Sequence, residues 1–422
     1  MKKYDALIIG GGSAGLAAAA ALKENGIDNI AVLEKDGEAG GILQQCIHNG
    51  FGLMTFGEQL SGPAYAERFI RKAAELGVEI KTNTMVTKLT ADRKVEYVNS
   101  TEGAVTAEAG AVVLAVGCYE RPRGAINITG DRCAGVYTAG QAQKYLNIDG
   151  YMVGKKVFIL GSGDIGLIMA RRMKLEGADV LGVAEIMPYS NGLPRNIKQC
   201  LEDFDIPLML SHTVSKTFAN KNGRLEKIEV VQVDENLNPI AGSEQYFDAD
   251  TLLLSVGLIP ENHLADEIGI VSDRATKGPV VDESYMTSAE GIFACGNGLH
   301  VHDLVDFVTI QAARAGKGAA EYLKNGAKSG RSVTVGAGSG IGYTVPSLVH
   351  PESVSEDVEF FFRVTKPLTD AVITLTSCGE VLRTIKKKKI VPSEMQRITV
   401  KKDVLAGLTD GLEISAEGVV TV

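Results

Sequence analysis

Two short glycine clusters in this chain have the spacing Gly-x-Gly-x-x-Gly, directly after an apolar run that reads as a buried strand. The first glycine of this pattern makes a tight turn, the second leaves room for a pyrophosphate, and the third lets helix and strand pack closely. The N-terminus of the following helix attracts the phosphate charge. The two clusters are Gly10, Gly12, Gly15 and Gly161, Gly163, Gly166.

An acidic residue ends the next apolar run after each cluster. Glu34 lies 19 residues after Gly15, and Glu185 lies 19 residues after Gly166. A carboxylate at this position can accept hydrogen bonds from both hydroxyls of an adenosine ribose. The three glycines and the acid of the second pattern are all displaced by 151 residues from those of the first. A single glycine motif is weak support, but this repetition predicts two dinucleotide sites.

The second acid also indicates which pyridine nucleotide binds. Glu185 would repel a 2′-phosphate and accept a hydrogen bond from a free 2′-hydroxyl, so NADH is favoured over NADPH. Arg171 and Arg172 lie nearby in the sequence. We place them inside the helix after the turn, whereas a 2′-phosphate would lie beyond the second strand.

Composition and net charge limit the number of domains, the kinds of partner and the cellular setting that we expect for this chain. The 422 residues require two or three domains, and 45% hydrophobic with 23% charged residues is an ordinary globular balance. A net charge of −9 argues against a nucleic-acid partner. Six scattered cysteines without a CxxC pair predict no zinc site and fit a reduced, cytoplasmic setting. We expect neither a signal peptide nor a membrane span.

Further motifs accompany the two fingerprints. They are "AVVLAVG" (111–117), "TLLLSVGLIPEN" (251–262) and "TSAEGIFACGNG" (287–298). With them the chain resembles the two-dinucleotide-binding-domain flavoproteins, the glutathione and thioredoxin reductase or pyridine nucleotide-disulfide oxidoreductase superfamily. The resemblance covers residues 1 to about 328 and implies an FAD-dependent oxidoreductase that also binds NAD(H).

The resemblance also implies which residues bind each cofactor. For FAD they are Gly10, Gly12, Ser13, Ala14, Gly15, Glu34, Lys35, Gly41, Leu43, Val86, Ala115, Gly117, Gly296, Asn297, Thr309 and Ile310. For NAD they are Gly161, Ser162, Gly163, Asp164, Ile165, Gly166, Glu185 and Gly257.

Four of these residues have specific roles in the family. Backbone near Val86, in the strand "EIKTNTMVTKL", is expected to hold the adenine. A helix starting around Thr309 and Ile310 is expected to point its positive end at the flavin O2. Asn297 stands where the family has an aspartate on the ribityl chain, so one negative charge is missing and the reduced flavin anion should be favoured.

The active-site dithiol of the disulfide reductases is missing. Their CxxxxC pair would fall at Leu43 and His48, and the region where another subclass has CxxC contains only Cys200, which we expect on a helix. Exchange through a resident disulfide is therefore not expected. Cys46 is the catalytic candidate in its place, with His48 two residues away to lower its thiol pKa. The alternative for Cys46 is a small buried apolar residue.

The stretches "GGILQQCIHNGFGLMTFGEQLSGPAYAERF", "ITGDRCAGVYTAGQAQKYLN" and "FACGNGLHVHDLVDFVTIQAARAGK" resemble a narrower group. These are the FAD/NAD-binding subunits of glycerol-3-phosphate, sarcosine, opine and proline dehydrogenase or oxidase complexes. The resemblance implies two partners, namely a second flavoprotein dehydrogenase subunit together with a small cysteine-rich electron-transfer protein. A homo-oligomer is left open.

Two other functions remain open, a stand-alone NADH oxidase or peroxide reductase using Cys46, and a structural subunit that binds nucleotides without turnover. Four residues, His48, His300, His302 and Asp303, either line the flavin edge or a partner contact, or are solvated loop residues. No metal is expected at this HxH pattern, because no third ligand matches it.

The predicted fold is α/β, with two Rossmann-like FAD- and NAD-binding domains and a small C-terminal antiparallel β domain. We assign residues 1–120 and 256–328 to the FAD-binding domain, 121–255 to the NAD-binding domain and 329–422 to the β-rich domain. The glycine- and serine-rich segment 323–347 reads as a linker or long loop. Lys386 to Lys389 are expected on an exposed face or edge of a strand.

Overall fold

The structure is a computed structural model that describes residues 1–420. The chain forms two compact units. The first consists of residues 1–118 together with 260–420, and the second is Tyr119–Ile259. Among the described residues, no helix combines the length and the apolar character needed to cross a bilayer.

The secondary structure follows in chain order. The first segment contains β1 Lys2–Ile9, α1 Ser13–Glu24, β2 Ile30–Leu33, β3 Asn49–Phe51, β4 Leu60–Ser61, α2 Gly62–Glu75, β5 Glu79–Lys81, β6 Met85–Leu89, β7 Lys94–Asn99 and β8 Gly103–Leu114. The second contains β9 Cys118–Glu120, β10 Thr129–Gly130, β11 Val136–Thr138, α3 Ala139–Asn147, β12 Lys156–Leu160, α4 Asp164–Leu175, β13 Asp179–Glu185, α5 Pro194–Cys200, β14 Leu208–Leu210, β15 His212–Ala219, β16 Leu225–Gln232, β17 Gln245–Phe247, β18 Thr251–Leu254 and β19 Leu258–Pro260. The third contains α6 His263–Glu267, β20 Ile292–Ala294, α7 Val305–Asn325, β21 Val333–Ala337, β22 Ile341–Val345, β23 Leu348–Val349, β24 Val358–Val364, β25 Leu368–Ser377, β26 Glu380–Ile390, β27 Gln396–Val400, α8 Lys402–Ala406 and β28 Leu412–Val420. Four 3₁₀ turns lie at Gly41–Gln45, Arg123–Ala125, Glu202–Phe204 and Gly296–Gly298.

The first unit is built on a seven-stranded sheet with the order β5-β2-β1-β8-β7-β6, in which β20 also pairs with β8. The pairs β1–β2, β1–β8 and β8–β20 are parallel. Their apolar runs are buried, as expected of strands that are covered on both faces. Helix α7 packs against α1 through Gly316, where a Cβ would lie 2.4 Å from the Ala18 carbonyl oxygen. The predicted buried strands are therefore present, and they run in one direction at the centre of the sheet.

The second unit has its own parallel sheet, β11-β18-β12-β13-β14. A separate four-stranded sheet has the order β10-β15-β16-β17. Cys200 ends helix α5, as predicted, and its side chain is buried. The predicted NAD-binding domain, 121–255, falls within this unit.

The C-terminal segment has a core of its own. Sheets β23-β21-β28-β25-β26 and β22-β24-β27 enclose it, and Phe360, Phe362, Ile373 and Ile414 are fully buried there. Most pairs are antiparallel as predicted, but β21 and β28 are parallel. The fold class predicted from the sequence is confirmed.

Two predicted elements differ from the structure. The segment 323–347 is not only a linker, because β21 and β22 lie within it and bury Val333, Val335 and Ile341 in the C-terminal core. The single strand predicted over "EIKTNTMVTKL" is two strands, β5 and β6. Asn83 lies between them with a φ of 48°, a left-handed conformation that interrupts an extended chain.

Candidate functional site

The first glycine turn joins β1 to α1, and its glycines are required for different reasons. Gly10 has a φ of +104°, and a Cβ there would lie 2.4 Å from the Ala115 carbonyl oxygen. A Cβ on Gly15 would lie 1.8 Å from the Gly10 carbonyl oxygen. Beside Gly12 the nearest atom is the Gly41 Cα at 3.9 Å, so this position stays open. The free space lies where a pyrophosphate would approach the helix.

The second glycine turn, between β12 and α4, repeats this geometry. Gly161 has a φ of +97°, and its Cβ would lie 2.1 Å from the Ser255 carbonyl oxygen. On Gly166 a Cβ would lie 2.6 Å from the Gly161 carbonyl oxygen, whereas on Gly163 it would lie 3.4 Å from Ser255 Oγ. Again the middle glycine alone has space beside it.

Both helices have a glycine as the N-cap residue. Gly12 and Gly163 are the N-cap residues of α1 and α4, and neither offers a side chain to cap its helix. In α4 one first-turn amide, Gly166 N, donates to Ser255 Oγ at 3.0 Å. Ser13, Ala14 and Gly15 form the first turn of α1, and Asp164, Ile165 and Gly166 form that of α4. The Asp164 carboxylate accepts from Leu193 N at 2.8 Å and from Asn196 Nδ2 at 2.7 Å. Both N-termini therefore keep backbone donors that an anion could use.

The two acids have the same backbone partners in both units. Glu34 Oε2 accepts from Gly11 N at 2.6 Å and Glu34 Oε1 from Asp36 N at 2.8 Å. Glu185 Oε2 accepts from Ser162 N at 2.9 Å and Glu185 Oε1 from Met187 N at 3.0 Å. Both oxygens of Glu34 have a second lone pair that could accept from a ribose hydroxyl, and so does Glu185 Oε1. Glu185 Oε2 instead accepts a second hydrogen bond from the Ser162 hydroxyl at 2.7 Å, which a glycine at position 11 cannot donate.

Two other predicted segments meet the start of α1 at the carboxyl edge of the first sheet. A Cβ on Gly296 would lie 2.7 Å from Ala14 Cβ, and one on Gly298 would lie 3.0 Å from Val116 Cγ2. The turn Gly296–Gly298 is thus wedged between the start of α1 and the turn at Gly117, which has a φ of +77°. Asn297 donates from Nδ2 to Cys118 Sγ at 3.6 Å. In an open parallel sheet this edge is where ligands bind.

The segment after β2 also reaches the first turn. Gly40 N donates to the Gly11 carbonyl oxygen at 2.8 Å, and Gly40 pairs with Gly12 in an isolated β-bridge. Gly41 lies beside Gly12, while Leu43 is buried in the core. Lys35 is exposed. Leu43 is therefore a packing residue in this structure as well as a predicted FAD neighbour.

Cys46 lies at the end of the 3₁₀ turn Gly41–Gln45. Its thiol donates to the Ile42 carbonyl oxygen at 3.3 Å, and burial raises its pKa to about 12. Cys46 is therefore a neutral thiol at physiological pH and not the thiolate that a nucleophile requires. The half-buried His48 ring lies 5.0 Å from the Phe51 ring, centre to centre.

The prediction that a helix starts around Thr309 and Ile310 is wrong. Helix α7 begins at Val305, so both residues lie in its second turn. Asp306, in the first turn, accepts from Gly52 N at 3.1 Å and from Thr55 N at 2.8 Å. The Thr309 hydroxyl is buried against Tyr65 Oη at 2.7 Å. The helix starts early because Asp306 is held by a loop 251 to 254 positions earlier in the chain.

The remaining predicted cofactor contacts have these positions. Val86 lies in β6 opposite Tyr97, and Ala115 is buried after β8. Gly257 is exposed with a φ of +103°. Contact of Val86 with an adenine stays a prediction.

The solvated-loop interpretation of the two histidines is wrong. His300 is 1% exposed and His302 is 9% exposed, and their ring centres are 4.2 Å apart. Burial, followed by the charge of Arg363, lowers the pKa of His302 to about 3. Burial likewise holds the pKa of His300 well below its ordinary value. Both side chains are therefore neutral. Asp303 pairs with Arg363 of β24.

Sequence reasoning missed one titratable cluster, formed by Asp282, Glu283, Lys328 and His350. Asp282 Oδ2, Glu283 Oε2 and His350 Nδ1 lie within 4.8 Å of one another, a spacing that a metal ion could use. The Lys328 ammonium already pairs with Glu283 at 2.7 Å, so the cluster contains its own cation. No sequence signal could have found it, because its members come from three distant segments.

The comparisons with known proteins agree with this geometry. The family model "Pyridine nucleotide-disulphide oxidoreductase" matches residues 4–315. The alpha chain of the sarcosine oxidase of Corynebacterium sp. (strain U-96) is 27% identical over 278 residues, which are 62% of this chain and 27% of that protein. One of the subunits of the opine oxidase of Agrobacterium tumefaciens (strain Ach5) is 27% identical over 314 residues, 70% of this chain and 61% of that protein. This chain thus spans less than two thirds of either relative.

A solved structure shows the same fold. The T. acidophilum thioredoxin reductase superimposes with a TM-score of 0.61 at 22% identity, covering 76% of this chain and 98% of that one. The family match extends through both glycine turns and the turn that carries Asn297. The chain therefore belongs to the pyridine nucleotide-disulphide oxidoreductase family.

Proposed function

We propose that this chain passes a hydride between NADH and FAD, and that the electrons leave the flavin for a partner subunit. The observation that carries the proposal is the pair of equivalent turns, each with an open middle glycine, a helix N-terminus whose N-cap residue is glycine and a carboxylate held by two backbone amides. When bound, the flavin supplies the two-electron chemistry, and the protein supplies position and electrostatics.

The residues fit one dinucleotide in each unit. For FAD, we assign the first glycine turn and Glu34 to bind the adenosine diphosphate. Asn297 and the turn at Gly117 are assigned to the ribityl side. Around NAD, we assign Gly161, Gly163, Gly166 and Glu185. A Cβ at Gly12 or Gly163 would occupy the space that a pyrophosphate needs.

Anaerobic titration tests the hydride step. Purified protein should be yellow, and NADH should bleach the flavin absorbance near neutral pH. Gly163→Ala should stay yellow but lose most of the bleaching, because the change affects only the pyridine-nucleotide turn. Protein that is colourless and does not bind added FAD would contradict the proposal. Yellow protein whose flavin is not reduced by NADH would support a purely structural role.

Glu185 is proposed to select NADH. Its carboxylate has no cationic partner among the described residues and would face a 2′-phosphate directly. We expect NADH to reduce the flavin at least about 100-fold more efficiently than NADPH, which corresponds to about 2.7 kcal/mol. In Glu185→Gln this ratio should fall, as measured by kcat/KM for both nucleotides. An unchanged ratio would remove Glu185 from this role.

A resident thiol is not the proposed electron acceptor. The Cys46 thiol is protonated, and the two positions of the dithiol are occupied by Leu43 and His48. Cys46→Ser should therefore keep the rate at which NADH reduces an artificial dye within about twofold of the wild type. Cys378→Ser, a change at an exposed cysteine, is the matched control. Selective loss of peroxide or oxygen turnover in Cys46→Ser would instead favour the stand-alone oxidase alternative.

The proposed setting is a multi-subunit dehydrogenase or oxidase in the cytoplasm that acts on glycerol-3-phosphate or an amine. Two relatives are named as subunits of sarcosine and opine oxidases, and none of the six cysteines is in a disulfide, which suits a reducing compartment. A second flavoprotein subunit would bind the substrate, and a small cysteine-rich protein would carry electrons. Affinity purification from the native host should recover both. Purification of this chain alone, with full activity on such a substrate, would contradict the complex.

A further inference from the structure

The amide of Asn297 has one defined orientation. The backbone N–H of His302 points at Asn297 Oδ1, 3.0 Å away. A backbone N–H can only donate, so the atom that faces it must be the amide oxygen. The Asn297 NH₂ group therefore points the other way, where one hydrogen is directed at Cys118 Sγ, 3.6 Å away.

This orientation also fixes the protonation of His302. Its Nδ1 lies 3.2 Å from the same Asn297 oxygen and must carry a hydrogen to donate to it. Because the ring is neutral, His302 Nε2 has no hydrogen, and it is buried without a hydrogen-bond partner among the described residues. The Asn297 oxygen thus accepts two hydrogen bonds, both from His302.

A second amide and imidazole hold the residue before Asn297. Gly296 N donates to Gln311 Oε1 at 3.1 Å, which directs the Gln311 NH₂ group toward His300 Nε2, 2.7 Å away. Gln311 is fully buried in α7. Two amide–imidazole pairs therefore hold this turn. Gln311 and His300 form the pair at Gly296, and Asn297 itself forms the other pair with His302.

The C-terminal domain packs against this arrangement. The Phe361 ring centre lies 5.7 Å from that of His300 and 6.1 Å from that of His302. Arg363 donates to the Val301 carbonyl oxygen at 3.2 Å and pairs with Asp303. Residues 301 and 303 are thus tied down on both sides of His302, and its ring is held against Asn297.

We propose that His302 is a positioning residue for the flavin, which holds the Asn297 oxygen so that Asn297 presents an N–H donor to the ribityl chain. This inference rests on the proposed placement of FAD against Asn297. An aspartate at this position would present an acceptor, whereas this chain presents a donor and no charge. His302 acts through Asn297 and need not touch the cofactor.

The test is FAD affinity, measured by fluorescence when apo-protein is titrated with FAD. His302→Asn keeps an N–H donor close to the position of Nδ1, whereas His302→Leu has nearly the same size and no donor. We expect His302→Leu to raise the FAD Kd about fivefold, the usual effect of one neutral hydrogen bond, and His302→Asn to stay within about twofold. Thermal unfolding of the apo-proteins checks folding, and His302→Met replaces His302→Leu if that variant does not fold.

A double-mutant cycle separates positioning from packing. In an Asn297→Ala background the two His302 substitutions should have the same FAD Kd, because the residue through which they act is absent. Equal effects of His302→Asn and His302→Leu in the wild-type background would overturn the inference, as would a difference that persists in Asn297→Ala. Failure of the wild-type protein to bind FAD would instead overturn the proposed function, and the inference with it.

Discussion

At the scale of single residues, the same residue type serves opposite purposes within one turn. Gly15 is a glycine because a Cβ would overlap the Gly10 carbonyl oxygen at 1.8 Å. The backbone of Gly12 is extended, so its conformation does not require a glycine. Its neighbours do not require one either, because the nearest atom would lie 3.9 Å from a Cβ added at this position. We therefore propose that position 12 is a glycine because a ligand approaches it, whereas position 15 is a glycine because the fold requires it.

This difference predicts opposite behaviour of two alanine variants. Gly12→Ala should leave the free energy of unfolding of the apo-protein within about 1 kcal/mol of the wild type but weaken FAD binding at least about tenfold. Gly15→Ala should lower that free energy by about 3 kcal/mol or more, since backbone must move to admit the methyl group. Urea unfolding of apo-protein and FAD titration give the two quantities. Equal loss of stability in both variants would contradict the ligand role of Gly12.

How much of the site follows from the sequence depends on whether a residue's neighbours are local. The spacing of Gly10, Gly12 and Gly15 to Glu34 is set by one strand–turn–helix–strand unit, so a short pattern is sufficient to predict it. The burial of Cys46 and His302 does not follow from any local pattern, because residues from distant segments surround them. In particular, Phe361 of β24, about 60 residues further along the chain, packs against the His302 ring.

At the scale of elements, α7 connects the two parts of the first unit. Its first turn holds residues 52 and 55 through Asp306, and Arg314 in its middle pairs with Glu359 of β24 at 3.1 Å. The start of α7 differs from the prediction for this reason, since the helical pattern is visible in the sequence but the distant partners of Asp306 are not. The same holds for β21 and β22, whose glycines suggest a linker while the core they join is formed by strands far along the chain.

The Arg363–Asp303 pair should be the strongest single attachment of β24 to this region. Arg363 also donates to the carbonyl oxygens of Pro392 and Ser393, at 3.0 Å and 2.8 Å. Arg363→Met should lower the free energy of unfolding by about 3 kcal/mol, since Asp303 keeps a largely buried charge without the Arg363 cation. The control Arg383→Met changes an exposed arginine on β26 and should cost less than about 0.5 kcal/mol. A cost for Arg363→Met no larger than that of the control would contradict this account.

The cluster around His350 should make stability depend on pH. Its hydrogen bond to Glu283 raises the pKa of His350 against the opposing effect of burial. Burial alone would raise the pKa of Glu283, but His350 and Lys328 outweigh it and lower the pKa to about 2. The stabilisation from protonated His350 is complete below its unfolded pKa of about 6.5 and is lost as the pH rises through the higher folded value.

The measurement is the difference in melting temperature between wild type and His350→Gln. This difference should be largest near pH 6 and shrink by about pH 9, where His350 is neutral in both states. Glu283 stays ionised over this range, so it does not change the sign. A difference that grows with pH would contradict the assignment.

At the scale of the whole molecule, one long sheet edge has no strand beside it among the described residues. Strand β26 ends the sheet β23-β21-β28-β25-β26, and Lys386 to Lys389 are exposed on it as predicted. Val381 and Leu382, at 62% and 42% exposure, lie on the same strand. Edges of this kind pair with other chains unless charge prevents it.

Replacing all four lysines with threonine should therefore promote self-association without changing the melting temperature by more than a few degrees. Light scattering after size-exclusion chromatography measures the self-association. Replacing the same lysines with glutamate keeps the repulsion and should leave the association state of the wild type unchanged. If the threonine and glutamate variants behave alike, the lysines do not protect this edge.

The discontinuous first unit has a consequence for how the protein is made. Strand β20 pairs with β8 only after the whole contiguous unit Tyr119–Ile259 has been synthesised between them. That inserted unit can fold while the ribosome is still translating, because all its strands are already outside. Assembly of the turn at Asn297, and of its support by Phe361, must wait until the chain is nearly complete. If FAD lies against Asn297 as proposed, we expect flavin loading to be a late event in biogenesis, and premature termination before β24 should yield a product that retains the pyridine-nucleotide fold but fails to retain its colour.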